Sequence, residues 1–477
     1  MNVLFVYSLD NIHPSGRPLR TWSSLQFGIS YISSLLKANG HQTSLCILGS
    51  NYFKDSMKLL NRQIDEFNPG LICFTAVGSQ YPFVEKTARY VKERWPDRYL
   101  MIGGVHATLQ PDQAASGPFD AVCVGEGEFP SVELCQLLAS GRQPQGIANL
   151  WIKLPDGSLE KNPPREFIED LDLLPFPDLE MWKPWINAKD DEMAILGGRG
   201  CPYDCTYCSN HALRKVAKGR YVRMRSPENI LLEVSYLYEN FPQRLFSFEI
   251  ETLDINPKWA IELCGKLEAF NASLPDPISY GSNYRINPRT IDEALFVALE
   301  KANFCFINIG LESGSQRVRQ EVLKRNYSNN DFLKVVSLAR KYGMEIFVYN
   351  MIGLPGESLA DHQETLQLNR QCQPDGHHTG IFHPYPGTEL YASCLVQGLI
   401  QKSSSVSMER RQPVMTLPGF SKAQIKKAYT WFDFNVYRGF KPMRSLLAQV
   451  FLIKISSSPA LKFILHKIVK PLLRRNS

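Results

Sequence analysis

GGRGCPYDCTYCSN, residues 197–210, is the stretch on which the reading of this chain turns. Three cysteines, Cys201, Cys205 and Cys208, stand at CxxxCxxC spacing directly after a strand-like run that ends at Gly197. Thiolates ligate iron–sulfur clusters, and a short loop can wrap one. Three protein ligands on a cubane leave one iron open, and an open iron can take the amino and carboxylate groups of a small molecule. A zinc site would show two CxxC pairs, or CxxC with paired histidines. Neither is here, and the nearest histidine is His211. The plain alternative is a loop of thiols spaced by coincidence. The glycines ahead of the cysteines and the aromatic Tyr207 among them argue against it.

Working outward, strand-like runs recur downstream: AILGG, LFSFEI, ISYGS, FINIGL, EIFVYNMI and GIFHPY, separated by helical stretches. Six or so βα units predict a full or partial parallel barrel with its chemistry at the C-terminal rim. Upstream, residues 2–140 alternate strand and helix signals. Strands are expected at Asn2–Tyr7, Thr43–Leu48, Leu71–Ala76, Leu100–Gly103 and Ala121–Val124, with helical patterns such as Leu25–Asn39 and Pro82–Trp95 between them. Continuous apolar strands between amphipathic helices predict a doubly wound parallel sheet. Ligands of such sheets sit beyond the carboxyl ends of the strands. That is where Thr75–Gln80, GGVHAT (103–108) and VGEGE (124–128) fall. The chain is thus α/β, with a doubly wound domain over 1–145, a Pro-rich and poorly periodic linker over 146–190, the barrel over 191–390, and a helical, basic region over 391–477.

The 477 residues exceed one compact core, and the composition, 44% hydrophobic and 21% charged, is that of a globular protein. No apolar run is long enough to span a bilayer. The N-terminus, MNVLFVYSLDN, reads as a first strand rather than a signal peptide. Eleven cysteines, an odd number scattered through apolar runs, argue against a disulfide framework and for a reducing compartment, the cytoplasm. The net charge of +6 belongs to the tail: after Asp433 there are nine basic residues and no acid. That leaves 6 − 9 = −3 for the body, so nucleic acid is not an expected partner.

The cysteine segment resembles that of the radical S-adenosylmethionine superfamily, and the likeness extends over roughly residues 190–390. The resemblance implies a 4Fe-4S cluster on Cys201, Cys205 and Cys208, whose open iron chelates the methionine part of S-adenosylmethionine. One electron then cleaves the carbon–sulfur bond to give a deoxyadenosyl radical that abstracts hydrogen. By the same resemblance Tyr207, just before the last cysteine, lies near the adenine. FSFEIETL (246–253) resembles a segment that usually carries two adjacent acids. Here Ile250 replaces the first, and Glu251 remains to hold the methionine ammonium. GLESGS (310–315) is similar to the segment near the ribose, which implicates Glu312 and Ser313. Arg285, in SNYRIN, stands where the family has an arginine facing the cosubstrate. GLPGES (353–358) and HPYPGTELY (383–391) complete the pattern. Singly, each has a plain reading as a strand-end acid or a tight βα turn; in this order, at successive rims, they reinforce one another.

A doubly wound domain ahead of such a barrel resembles the cobalamin-binding class of the superfamily. That likeness implies a corrin site at Gly103, Gly104, His106, Thr108, Gly125, Glu126, Gly127 and Glu128. Glycines at strand ends let a flat macrocycle approach the backbone, and the Thr75 and Ser79 hydroxyls are placed to bond its nucleotide tail. GxGxxG and P-loop signatures are absent, which weighs against a flavin or nucleotide. NIHPSG (11–16) is an Asn variant of a cobalt-ligating DxHxxG, and an Asn cannot supply the carboxylate that makes such a histidine more basic. His13 is therefore read as part of a polar loop, with cobalt ligation the other option.

What the class implies is methyl transfer to an unactivated carbon or phosphorus of a small-molecule or lipid-like substrate, with an external electron donor. Oxidative ring closure or rearrangement, and a sensor or carrier without turnover, are the competing readings. SLLAQVFLIKI (445–455) and LKFILHKIVKPLLRR (461–475) are apolar, basic and free of acids. They read as helices packed on the barrel or as a peripheral contact with an anionic membrane.

Overall fold

The computed structural model describes residues 1–10, 12–14, 16–188, 192–401 and 409–456. Two sheets organise them. The first holds β1 (Asn2–Leu9), β2 (Gln42–Gly49), β3 (Leu71–Thr75), β4 (Tyr99–Gly103), β5 (Ala121–Cys123), β6 (Leu150–Lys153) and β7 (Leu159–Lys161), in the order β2-β1-β3-β4-β5-β6-β7. β1 to β5 are parallel, and their apolar runs are buried on both faces beneath helices, as continuous hydrophobic strands require. Helices Phe27–Ala38, Phe53–Phe67 and Tyr81–Arg94 make the crossovers, and helix Glu128–Ala139 follows β5.

The chain reverses direction of travel across the sheet between β1 and β3. This is the switch point at which such sheets open a crevice for a ligand.

The segment read as a linker is more structured than its composition suggested. β6 and β7 lie inside it and extend the sheet antiparallel, with Val122 opposite Trp151 and Trp151 opposite Lys161. They are short, β6 alternating buried with half-buried positions and β7 having no buried one, a weak signal beside six prolines and a run of charge. Further on, Trp182 is fully buried and donates its indole N–H to Ser30 Oγ at 2.9 Å.

The second sheet is built from β8 (Glu192–Leu196), β11 (Leu245–Glu249), β12 (Ser279–Tyr284), β13 (Phe304–Glu312), β14 (Glu345–Ile352) and β15 (Gly376–Ile381), side by side in that order and all parallel. Among the described residues β8 and β15 do not pair, so the barrel is partial. Between β8 and β11 the chain forms a small antiparallel ladder, β9 (Gly198–Arg199) with β10 (Arg223–Met224), and the cysteines lie in the loop it closes. β15 begins at Gly376, ahead of the run GIFHPY that marked it in the sequence. The crossover helices start where side-chain caps dictate: Ser226, Asn256, Asp292, Ser328 and Ser358 each accept from an amide of the first turn. At Ser328 and Ser358 the third helical residue is an Asp that closes a capping box.

After β15, helices Lys422–Thr430, Phe432–Tyr437 and Met443–Ser456 pack on the barrel's outer side. Phe420, Phe432, Val436 and Leu446 join Ile352, Leu354 and Ile381 in one core. The apolar run 445–455 is thus a packed helix; the run 461–475 lies outside the described residues.

Candidate active site

The cysteine loop is pinned at its base, middle and far end. At the base, Gly200 has φ +85°, and a Cβ there would lie 2.2 Å from the Tyr221 carbonyl oxygen, so only glycine lets the two arms of the ladder meet. In the middle, buried Thr206 donates its hydroxyl to Val322 O at 2.6 Å, and its own carbonyl accepts from Leu390 N at 2.9 Å. At the far end a short helix, Asn210–Leu213, carries His211, whose Nε2 accepts from Glu389 N at 3.2 Å.

Cys201, Cys205 and Cys208 open onto one cavity of about 270 Å³ at the C-terminal ends of β11, β12 and β13. Glu251, Arg285, Glu312 and Tyr207 line the same cavity, with Tyr203, Asn210, Asn283, Asn308, Arg325 and Tyr349. Arg285 donates Nη1–H to Cys205 Sγ at 2.9 Å and lies 3.7 Å above the Tyr203 ring. Asn210 donates its side-chain amide to Cys208 Sγ at 3.4 Å. Burial pushes the Cys201 thiol up to about 11 and the Cys208 thiol upward as well, so these protons leave when a metal replaces them. Among the described residues no three His, Cys, Asp or Glu side chains converge on a single ion point. A cubane does not ask for that: each thiolate binds its own iron around a shared space. Thiolate-only donors, two of them already accepting hydrogen bonds, around a cavity fit a 4Fe-4S cluster.

Opposite the cysteines, Glu312 has a left-handed backbone, φ +66°, where the β13–β14 register shifts. Such strain in a non-glycine residue persists only where the surroundings fix it. Tyr207 donates its hydroxyl to Glu312 Oε1 at 3.0 Å, and buried Arg325 donates to both, at 3.1 Å to Oε1 and 2.8 Å to the Tyr207 oxygen. Arg325 also holds Gly310 O at 2.6 Å. Glu312 Oε2 has no partner among the described residues.

Ile250 explains its own departure from the expected pair of acids. It is buried in the core, and a Cβ on Gly197 would touch it at 3.5 Å, whereas Glu251 beside it is exposed to the cavity. Ser313 does not line the cavity. It is fully buried, with its hydroxyl accepting from Ser315 N at 3.2 Å and within 3.4 Å of Thr365 Oγ1.

Sequence reasoning passed over four contributors: Tyr203, Asn210, Arg325 and Asp254. Asp254 is buried, accepts from the Arg285 amide at 3.2 Å and from Thr290 Oγ1 at 2.7 Å, and bonds the Thr252 hydroxyl, which sets the Arg285 backbone. Asp254 had a signal, its place five residues after the last strand residue, Glu249; Arg325 had none.

In the first domain, Thr75, Ser79, Gly103, Gly104, His106 and Thr108 gather at the ends of β3 and β4, on the crevice side. Gly104 has φ +90°, and a Cβ there would lie 2.6 Å from Thr75 Oγ1. Thr108 Oγ1 accepts from Gly125 N at 3.1 Å. His106 is buried and stacked 4.0 Å from the Tyr81 ring; its Nε2 has no partner, and burial pushes the ring down to about 4. Ser8 Oγ, at the end of β1, is likewise buried and unpartnered. The helix carrying His106, Gly104–Leu109, packs on Asn210–Leu213, the helix after Cys208. Orphaned polar atoms at the ends of β1 and β4 and a glycine shelf after β4, on a helix packed against the cysteine loop's helix, fit a corrin.

His13 lies elsewhere, in a groove with Lys58, Arg62 and Trp185, its Nε2 3.5 Å from Asp55. Glu126 and Glu128 are paired with arginines. Glu126 accepts from Arg199 and Arg223, both at 3.0 Å, and from Ile168 N at 2.8 Å, while Glu128 accepts from Arg199 at 2.6 Å. Those bonds hold the Glu126 carboxyl below its ordinary value although burial opposes them.

A parallel barrel with three cysteines on a rim loop, facing a flavodoxin-ordered sheet, defines a two-domain cluster enzyme. The family model of the Radical SAM superfamily matches residues 195–368, and that of the B12 binding domain matches residues 25–134. The chain therefore carries a B12 binding domain followed by a Radical SAM domain. An uncharacterized methyltransferase of Pyrococcus horikoshii is 26% identical over 406 residues, 84% of this chain and 85% of its own. An anaerobic magnesium-protoporphyrin IX monomethyl ester cyclase of Rubrivivax gelatinosus is 24% identical over 400 residues, 82% of this chain and 69% of its own. The radical S-adenosylmethionine methyltransferase TsrM of Kitasatospora setae, solved with cobalamin and a 4Fe-4S cluster, shares the fold. Its TM-score is 0.67 at 15% identity, over 92% of this chain and 89% of that one.

Proposed function

We propose that the chain is a cobalamin-dependent radical S-adenosylmethionine enzyme that methylates an unactivated carbon or phosphorus of a small molecule. The observation that carries this is the meeting of Cys201, Cys205 and Cys208 with Glu251, Arg285 and Glu312 in one cavity, the cysteine loop's helix packing against the His106 helix of the first domain. When bound, the cluster and S-adenosylmethionine supply reductive carbon–sulfur cleavage, and cobalamin supplies the methyl group.

The chain's own residues do the rest. The cysteines would hold the cluster. Arg285 and Asn210, donating to two of the sulfurs, favour the more negative thiolate and orient the loop. Glu251 offers the methionine ammonium a carboxylate. Tyr207 would offer the adenine a ring, and Glu312, braced by Arg325, would offer its carboxylate to the ribose. Ser8, Thr75, Ser79, Gly103, Gly104, His106 and Thr108 would receive the corrin and its tail. An external donor supplies the electron.

Anaerobic reconstitution with iron, sulfide and hydroxocobalamin tests this. Spectra report both cofactors, and the Cys205→Ala chain is expected to lose the cluster and all nucleoside products. S-adenosylhomocysteine formed together with deoxyadenosine supports methyl transfer. The cyclase relative supports a second reading, ring closure, which deoxyadenosine without S-adenosylhomocysteine would favour. Wild-type chain that binds iron yet never cleaves S-adenosylmethionine would leave only a carrier.

The C-terminal helix supports a further element, contact with an anionic membrane surface. Its inner side, Leu446 and Val450, is buried, while Met443, Leu447, Phe451 and Leu452 stand exposed beside Arg444 in an acid-free stretch. Flotation with phosphatidylserine vesicles but not with neutral ones is expected; equal recovery from both ends the idea.

A further inference from the structure

Four charges cross from the first sheet to the cysteine loop, all of them buried or nearly so. Arg199 forks across two acids, one Nη on Glu126 and the other on Glu128. Arg223 ties the second oxygen of Glu126 to the Ile168 carbonyl, at 3.0 and 2.8 Å. Both arginines are paired with each other across the β9–β10 ladder. A single residue, Gly200, separates Arg199 from Cys201, and its contact with Tyr221 leaves no slack. A shift of Arg199 is therefore passed to the first cysteine.

We propose that Glu126 and Glu128 are positioning residues that lock the cysteine loop against the first sheet, fixing the distance and angle between the cluster and the cofactor crevice. The glycines of VGEGE shape that turn: Gly125 has φ +96°, and a Cβ on Gly127 would lie 2.9 Å from Ile32. A buried ion pair adds little net stability against an apolar replacement, but it fixes geometry through directed bonds. Both oxygens of Glu126 accept hydrogen bonds from within the chain, one from Arg199 and two from Arg223 and the Ile168 amide. The inference rests on the cysteines being the cluster ligands.

The test uses the full chain with Glu126→Gln, Glu128→Gln and Arg199→Lys. Three quantities are read: hydroxocobalamin retained, amide exchange of residues 197–209 before reconstitution, and the change in the reduced cluster's paramagnetic spectrum on adding S-adenosylmethionine. For the Gln variants, cobalamin retention within about twofold of wild type is expected, with exchange of the loop about tenfold faster or more and a weakened spectral change. Arg199→Lys keeps the charge but cannot fork to two acids, so it should fall between. If a Gln variant fails to fold, Arg199→Lys decides alone by the same readings. Cobalamin retention falling about tenfold with loop exchange unmoved would make the acids cofactor contacts and overturn the proposal. So would variants that match wild type throughout. Wild-type chain that takes up no iron overturns the cluster reading instead, and loop exchange still reports on the clamp.

Discussion

Replacing Arg325 by Met removes a buried cation that holds Glu312 Oε1, the Tyr207 hydroxyl and Gly310 O at once. Glu312 is then a largely buried carboxylate without a cation, and a broken buried pair costs about 3–5 kcal/mol. The loss is local, since β13 pairs with β12 and β14 and carries Glu312 at its end. Native-state amide exchange along Phe304–Leu311 reads it directly and avoids fitting one transition to a chain of several domains. At 1.4 kcal/mol per tenfold, protection of those amides should drop by about two to four orders of magnitude. The Arg325→Met/Glu312→Gln double variant removes the stranded charge and should recover most of it. Both variants should bind iron, because neither residue touches a cysteine sulfur, but should respond less to S-adenosylmethionine. Protection within a factor of about five of wild type in the single variant, under 1 kcal/mol, would refute the reasoning.

Two further outcomes are expected. His106 sits at about 4 in the fold against 6.5 when unfolded, so the unfolded chain binds the extra proton. The stability this confers is complete above pH 6.5 and declines as the pH falls towards 4, by about 2 kcal/mol at pH 5. Exchange protection of β3 and β4 should follow that slope and His106→Gln should flatten it; an equal slope in the variant would remove His106 as the cause. Gly200→Ala puts a methyl 2.2 Å from a backbone oxygen at φ +85°, whereas Gly219→Ala, at φ +91°, meets nothing nearer than 3.5 Å. Gly219→Ala should cost about 1–2 kcal/mol and keep its iron. Gly200→Ala should bind substoichiometric iron, and equal iron content in the two would contradict the pinned base.

The parallel strands were legible because both of their faces are buried, which leaves uninterrupted apolar runs such as NVLFVY and LICF. The cysteines, Glu251, Arg285 and Glu312 were legible because each stands at a strand's carboxyl end in chain order. What escaped was set by partners distant in sequence. Nothing near VGEGE says that its acids will meet arginines 71 to 97 residues later. Arg325 reaches Tyr207 over 118 residues. β6 and β7 were hidden by brevity, and β15 by the polar GHHTG at its start, which shifted the expected strand towards GIFHPY.

Thr206 sits between two of the three thiols, yet its bonds run to Val322, Leu323 and Leu390. A chain emerging from the ribosome therefore presents Cys201, Cys205 and Cys208 long before the segments that hold their loop have been made. The loop is held in place only once residue 390 is out and folded back, so a settled receptacle for a cluster comes late in the folding of the chain.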